Sequence, residues 1–182
     1  NQATPIFAGM LVGTLLSILL WMQVAKYLKN NQMMLIICSF FLALFALPLT
    51  FLSSTTAYII AMALWGLGFG GFWTFMSPAM ADVIDSLIVA QKRRDDGVVL
   101  GIRAFFMRFS YASQALVFFV VHELTAFDPL AVTEQARWGI RLHMGLIPSL
   151  FFLAGGLLFL RMNTLHPAEV AKNHQRLSQL DI

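Results

Sequence analysis

The sequence has 182 residues, of which 59% are apolar and 12% are charged, and its net charge is +3 at pH 7. A soluble domain carries about 25% charged residues, so this composition excludes a globular domain whose whole surface faces water. The cations stand beside the ends of apolar runs, so the net positive charge does not indicate a nucleic-acid partner.

Five apolar runs dominate the chain, and each is long enough to cross a bilayer as a helix. About 20 helical residues span the hydrocarbon core, and the runs cover residues 3–25, 33–52, 58–81, 98–121 and 139–160. The only cysteine, Cys38, lies inside the second run, which excludes a disulfide framework within the chain. The pattern predicts an all-α membrane protein, with a five-helix transmembrane bundle over residues 1–162.

The charges of the loops predict how the helices are oriented. Basic residues near helix ends are retained on the cytoplasmic side, whereas the second and fourth loops are uncharged or acidic. We therefore expect the N-terminus outside, the C-terminus in the cytoplasm, and at least one further spanning helix before Asn1; a complete five-helix protein is the alternative. The cations follow the first, third and fifth runs, as Lys26, Lys29, Lys92, Arg93, Arg94, Arg161, Lys172 and Arg176.

The tail, residues 163–182, is more polar than the bundle. Pro167 suits the first turn of a helix, and Glu169 would lie near the positive end of the helix dipole. A weak apolar stripe follows. We therefore expect a short cytoplasmic helix that lies against the membrane or the bundle.

The stretch GLGFGGFW at residues 66–73 matches the glycine spacing of a dinucleotide-binding loop. That loop needs a strand before it and an aqueous phosphate site, whereas these glycines lie in the middle of an apolar run. Small residues four positions apart instead let two membrane helices approach closely. We predict that Gly66 and Gly70 form a helix-packing face.

The fourth run carries a cation, Arg108, near its middle, where a charge costs about 3 kcal/mol on insertion scales. Tyr111 and Gln114 follow on its small, polar helix face, and Trp73 lies at nearly the same depth on the third run. An indole face stacks on a sugar ring, and a guanidinium donates hydrogen bonds to hydroxyls or a carboxylate. We predict that these four residues bind a substrate. The alternatives are that Arg108 pairs with an acid outside this chain and that Trp73 only packs.

The cytoplasmic ends of the third and fourth runs carry opposite charges. Asp82 and Asp85 close the third run, and Arg103 lies about 9 Å inside the fourth. We predict a gating or structural ion pair among these three residues. At the two membrane surfaces, Trp21 and Trp138 are expected to act as interfacial anchors.

The third and fourth helices resemble the glycoside–pentoside–hexuronide:cation symporter family. These sugar carriers include the melibiose carrier and belong to the major facilitator superfamily. The resemblance covers essentially the whole chain, including Pro148 in the fifth helix and Pro167 in the tail. It rests mainly on Phe72-Trp73, on the block Ala81-Asp82-Val83-Ile84-Asp85, on Lys92-Arg93-Arg94-Asp95-Asp96-Gly97, and on a cation at position 108.

The resemblance implies that these helices are the eighth to twelfth of a twelve-helix major facilitator fold, whose N-terminal half would be the partner of this chain. It implies cation-coupled symport of a sugar, a glycoside or a related small solute by alternating access in the plasma membrane. Trp73 and Arg108 would face the sugar cavity, although the melibiose carrier has a lysine at the cation position. The coupling Na⁺ or H⁺ would bind in the N-terminal half.

Two other functions remain open from the sequence. A carrier of a lysolipid or an organic anion would share the fold, and arginine suits a phosphate or a carboxylate. An inactive, truncated membrane protein is the alternative outside transport. An enzyme, a metal site and a cofactor are not expected, because the sequence shows no nucleophile–base pair, no metal-ligand spacing and no phosphate loop.

Overall fold

The computed structural model describes residues 3–180, and every regular element in that range is helical. Five segments are long and apolar enough to cross a membrane, which confirms the predicted all-α membrane class. The ends of the predicted bundle and tail, residues 1–2 and 181–182, lie outside the described residues. The helices are α1 (Ala3–Leu28), α2 (Asn31–Ala46), α3 (Thr55–Gln91), α4 (Asp96–Leu124), α5 (Glu134–Arg141), α6 (Ile147–Met162) and α7 (Pro167–Leu177), with a 3-10 turn at Leu47–Thr50 and a π-helical turn at Leu142–Leu146.

Four of the five spanning segments are longer than the apolar runs that predicted them, and α3 differs most. It begins where the Ser54 hydroxyl caps the helix by accepting a hydrogen bond from the Ala57 amide at 3.2 Å. It ends at Gln91 rather than Ala81, and Lys92 turns the chain with a φ of 54°. Helical hydrogen bonds are internal to the backbone, so α3 continues after its side chains become polar.

Glycines bring α1 and α3 into close contact. A Cβ atom at Gly70 would lie 2.6 Å from the Thr14 carbonyl oxygen, and one at Gly66 would lie 3.0 Å from the Thr14 amide nitrogen. Gly13 on α1 faces the backbone of Ala63 at similarly close range. These contacts leave no space for a phosphate between Gly66 and Gly70, and residues 3–180 contain no strand that could precede a dinucleotide loop.

A buried cluster joins α1, α2 and α3 next to the glycine contact. Trp21 belongs to it with 4% of its surface exposed, and its Nε1 donates a hydrogen bond to the Leu67 carbonyl oxygen at 2.7 Å. The expectation that Trp21 anchors α1 at the membrane surface is therefore wrong. Gly71 makes room for the indole, since a Cβ atom there would lie 2.6 Å from Nε1. The buried members are Trp21, Met34, Leu35, Cys38, Phe75 and Ala79.

The contact between α2 and α6 depends on a π-helical turn and a buried hydroxyl. Pro148 has no amide hydrogen, so the carbonyl of Met144 loses its α-helical partner, and the turn Leu142–Leu146 relaxes to π geometry. One turn later, Ser149 is buried, and its hydroxyl donates to the Ala43 carbonyl oxygen at 2.7 Å. This hydrogen bond fixes the register of α6 on α2.

The helix α4 stands apart from the rest of the bundle. It has no buried residue, and its main contacts are with α5 and the π-helical turn. Its outward surface carries exposed phenylalanines, among them Phe105, Phe106 and Phe109. The tail helix α7 lies at the opposite end of the molecule from the α4–α5 loop and packs on α3, where His174 Nε2 is 3.3 Å from Asp85 Oδ2.

Candidate substrate-binding surface

Trp73 lies on the exposed side of α3, with 48% of its surface accessible. It is the last of three aromatic residues that are spaced four positions apart along α3. The ring centroids of Trp65 and Phe69 are 5.0 Å apart and stacked, and those of Phe69 and Trp73 are 6.1 Å apart and nearly perpendicular. Of these three residues, only Trp73 was predicted to bind a substrate, although the four-residue spacing of aromatics from position 65 is visible in the sequence.

Arg108 lies on an exposed face of α4, in a segment otherwise apolar enough to span a membrane. Among residues 3–180 no carboxylate forms an ion pair with its guanidinium. Tyr111, with 61% of its surface accessible, and Gln114 are exposed on the following turns of the same helix. The structure therefore presents three polar side chains together on α4, all of them accessible.

The structure does not bring Trp73 into contact with Arg108. No hydrogen bond or cation–π contact joins the two side chains in the described part of the chain, where the cation–π contact observed is that of Arg141 with Trp138, at 5.4 Å from the ring centroid. The helices α3 and α4 approach each other at the loop that joins them, around a cavity of about 320 Å³. Trp73 and Arg108 are each accessible, on different helices.

The predicted ion pair of Arg103 with Asp82 or Asp85 is not formed. Asp82 is buried and accepts a hydrogen bond from the Asn31 side-chain amide at 2.9 Å, while Asp85 faces His174. Arg103 has no carboxylate partner among residues 3–180. The reason is the packing: α2 and α7 lie against α3 near its C-terminal end, whereas α4 packs mainly on α5.

No set of three or more histidine, cysteine, aspartate or glutamate side chains is arranged to hold a metal ion within residues 3–180. The glycines of α3 face α1, and the carboxylates of α3 are engaged by α2 and α7. The exposed polar and aromatic side chains of α3 and α4 form the candidate surface for a small solute. They offer hydrogen-bond donors and aromatic faces but no reactive group.

Comparison with known proteins gives one match. The family model described as MFS/sugar transport protein matches residues 1–164. Neither the curated proteins nor the solved structures yield a match. The matched range includes all five spanning helices and every residue of the candidate surface. The chain therefore belongs to the MFS/sugar transport protein family and is a multi-pass membrane protein of the major facilitator type, which points to transport rather than to enzymatic catalysis.

Proposed function

We propose that this chain forms part of the sugar-binding surface of a cation-coupled symporter similar to the melibiose carrier. The observation that carries the proposal is that the guanidinium of Arg108 is accessible in an apolar spanning helix and has no ion-pair partner among residues 3–180. A cation at that depth is costly unless it faces water or a polar partner. A solute cavity between the two halves of a transporter would supply both.

The neighbours of Arg108 suit a sugar. Tyr111 and Gln114 add hydroxyl and amide groups on the same helix, and Trp73 adds an accessible indole face on α3. Sugars present hydroxyl groups around their edge and C–H groups on their faces, so donors and an aromatic surface together fit both parts of the molecule. The coupling ion, Na⁺ or H⁺, would be bound by another part of the transporter, because Asp82 and Asp85 already have partners.

The experiment is uptake of labelled glycosides by the intact transporter carrying Arg108→Gln or Arg108→Lys. A charge-assisted hydrogen bond contributes about 1.5–3 kcal/mol, so Arg108→Gln is expected to raise the KM by about 10- to 100-fold. Arg108→Lys keeps the charge but loses the planar fork, so it is expected to recover part of the affinity. Trp73→Leu is expected to weaken uptake more than Trp73→Phe does.

Arg94→Gln is the matched control, because it also removes one positive charge but lies in the exposed loop before α4. Its uptake is expected to equal that of the unaltered protein. Unchanged KM and kcat for Arg108→Gln across a panel of glycosides, at equal expression in the membrane, would remove Arg108 from the binding surface and with it the proposal.

A second candidate is a carrier of a lysolipid or another organic anion. The observation that favours it is that the exposed phenylalanines Phe105, Phe106 and Phe109 lie on the same helix as Arg108, which has no ion-pair partner among residues 3–180. An amphiphile with an anionic head would use both the guanidinium and the apolar surface. Competition between glycosides and lysophospholipids in the uptake assay separates the candidates, since only the true substrate class displaces the label in an Arg108-dependent way.

A further inference from the structure

Two histidines from different parts of the chain meet at the end of α4 that leads into the acidic loop. His122 lies in the last turn of α4, and His143 lies in the π-helical turn between α5 and α6. Their ring centroids are 6.1 Å apart. Neither residue belongs to the proposed transport surface. The two histidines are 21 positions apart in the sequence, so the sequence alone did not predict that they meet.

The hydrogen bond of His122 determines which of its ring nitrogens is free. Its Nδ1 lies 2.8 Å from the carbonyl oxygen of Phe118, and because a carbonyl only accepts, Nδ1 carries the proton. The lone pair is therefore on Nε2. Phe118 stacks on the imidazole with a centroid distance of 3.9 Å, and Phe127 packs edge-on at 4.7 Å. A ring whose second nitrogen donates to a backbone carbonyl has the arrangement of a metal-ligating histidine.

In His143, the ring nitrogen Nδ1 is buried and has no hydrogen-bond partner among the described residues. This is unusual, because buried polar atoms almost always have a hydrogen-bond partner. The ring of Phe118 also lies against it, at 5.3 Å between centroids. The π-helical turn that carries His143 is a geometry often found at functional sites.

The two imidazole rings are close enough for both to bind a single ion. A zinc–nitrogen bond is about 2.0–2.1 Å long, which puts the ion about 3.1 Å from the centre of each imidazole ring. Two rings that share an ion are therefore at most about 6.3 Å apart between centres, and about 5 Å apart at a tetrahedral angle. The observed 6.1 Å lies inside this limit.

We propose that His122 and His143 together bind one divalent transition-metal ion, with Zn²⁺ as the best-suited ion. Imidazole nitrogen is a preferred ligand of this class of ions. Residues 3–180 contain no third histidine, cysteine, aspartate or glutamate in the group, so these two imidazoles are the ligands that the described chain would supply. A site with two protein ligands would differ from a structural zinc site, which has four.

Metal binding at this pair would restrain α4. The helix makes its main contacts with α5 and the π-helical turn, and the two histidines stand on either side of that contact. An ion held by both rings would fix the angle between α4 and the α5–α6 segment. Because α4 carries Arg108, bound metal is expected to slow uptake by the intact transporter.

The test is Zn²⁺ binding to the purified full chain in detergent, measured by competition with a fluorescent zinc chelator. One saturable site is expected, and His122→Gln or His143→Gln is expected to lower the affinity at least 10-fold. The matched control is His166→Gln, which removes a histidine from the segment between α6 and α7 and is expected to leave binding unchanged. Size-exclusion chromatography verifies that each variant is folded.

Protection from diethyl pyrocarbonate tests the same proposal on the unaltered protein, so a variant that fails to fold does not end the experiment. Zn²⁺ is expected to protect His122 and His143 from modification, read by mass spectrometry, and to leave His166 reactive. Absence of saturable binding, retention of binding in the double His-to-Gln variant, or equal modification with and without Zn²⁺ would each overturn the proposal. None of these results depends on which solute is transported.

Discussion

The contact between α1 and α3 predicts that one added methyl group destabilises the bundle. In Gly70→Ala, the new Cβ atom would press on the hydroxyl of Ser17 and lie 2.6 Å from the carbonyl oxygen of Thr14. The hydroxyl can rotate away, but the carbonyl belongs to the backbone of α1. The substitution therefore forces the two helices apart.

The size of the effect follows from that distance. To reach an ordinary contact of about 3.4 Å from 2.6 Å, the two backbones must separate by about 0.8 Å. Forcing extra carbon into a packed contact costs about 1–3 kcal/mol. Replacing glycine by alanine inside a helix also gains about 1 kcal/mol of propensity, which offsets part of this cost. Gly155→Ala on α6 has the same gain without the clash, because no atom lies within 4 Å of the position of its Cβ.

The assay uses the buried thiol of Cys38, the only cysteine in the sequence. A thiol-reactive fluorophore labels it only when the protein unfolds, so heating the purified full chain in detergent gives a melting temperature. A difference of 1–3 kcal/mol between Gly70→Ala and Gly155→Ala corresponds to about 3–10 °C. Gly70→Ala is expected to melt at the lower temperature of the two.

A double variant tests whether the cause is the contact itself. Ser17→Ala removes the hydroxyl that the new methyl group meets first, so combining it with Gly70→Ala is expected to recover part of the lost stability. The carbonyl of Thr14 remains, so recovery is incomplete. If Gly70→Ala melts at the same temperature as Gly155→Ala, α1 and α3 do not pack as closely as described and the reasoning fails.

Three further predictions concern two hydrogen bonds and one contact between a histidine and a carboxylate. Trp21→Phe removes the donor of a buried carbonyl at Leu67 and is expected to lower stability by about 1–3 kcal/mol in the same melting assay. Ser149→Ala removes a hydroxyl that donates to a carbonyl on α2 and is expected to cost about 1 kcal/mol; an unchanged melting temperature would argue against that hydrogen bond. His174→Ala is expected to loosen α7 from α3, because the contact of the imidazole with the Asp85 carboxylate is lost. Partly exposed contacts of this kind contribute about 0–1 kcal/mol, so amide exchange in α7 should rise by at most about fivefold, and exchange in α3 should be the internal reference.

The five spanning segments were predictable because the ability to cross a bilayer depends on the length of an apolar run along the chain. A bilayer requires about 20 apolar residues in a row, and backbone groups inside it must be satisfied within each helix. The length of an apolar run can be read without knowing which helices are neighbours. The ends of α3 were less predictable, since a helix that leaves the bilayer no longer needs apolar side chains.

The candidate surface was predictable in its residue types but not in its contacts. Arg108 was singled out by the cost of a cation in an apolar run, and the structure adds that it lacks an ion-pair partner in residues 3–180. The expected partners of Arg103 were wrong because Asn31 and His174 reach Asp82 and Asp85 instead. Hydropathy carries no information on which helix packs on which.

The packing of Trp21 also could not be predicted from the sequence. Near the end of a spanning helix, a tryptophan is most often an interfacial anchor, yet here Gly71 opens a space on α3 that the indole fills. The histidine pair is a further case, since His122 and His143 meet only through the packing of α4 on the π-helical turn.

The sequence by itself determined that the chain crosses a membrane through five helices, and it singled out the one deep cation, because transfer of each side chain into hydrocarbon has a free energy of its own. Only the tertiary structure decided which carboxylates, carbonyls and rings become partners. Those partners come from residues distant in the chain, and which of them meet depends on the close approach that small side chains such as Gly70 and Gly71 allow.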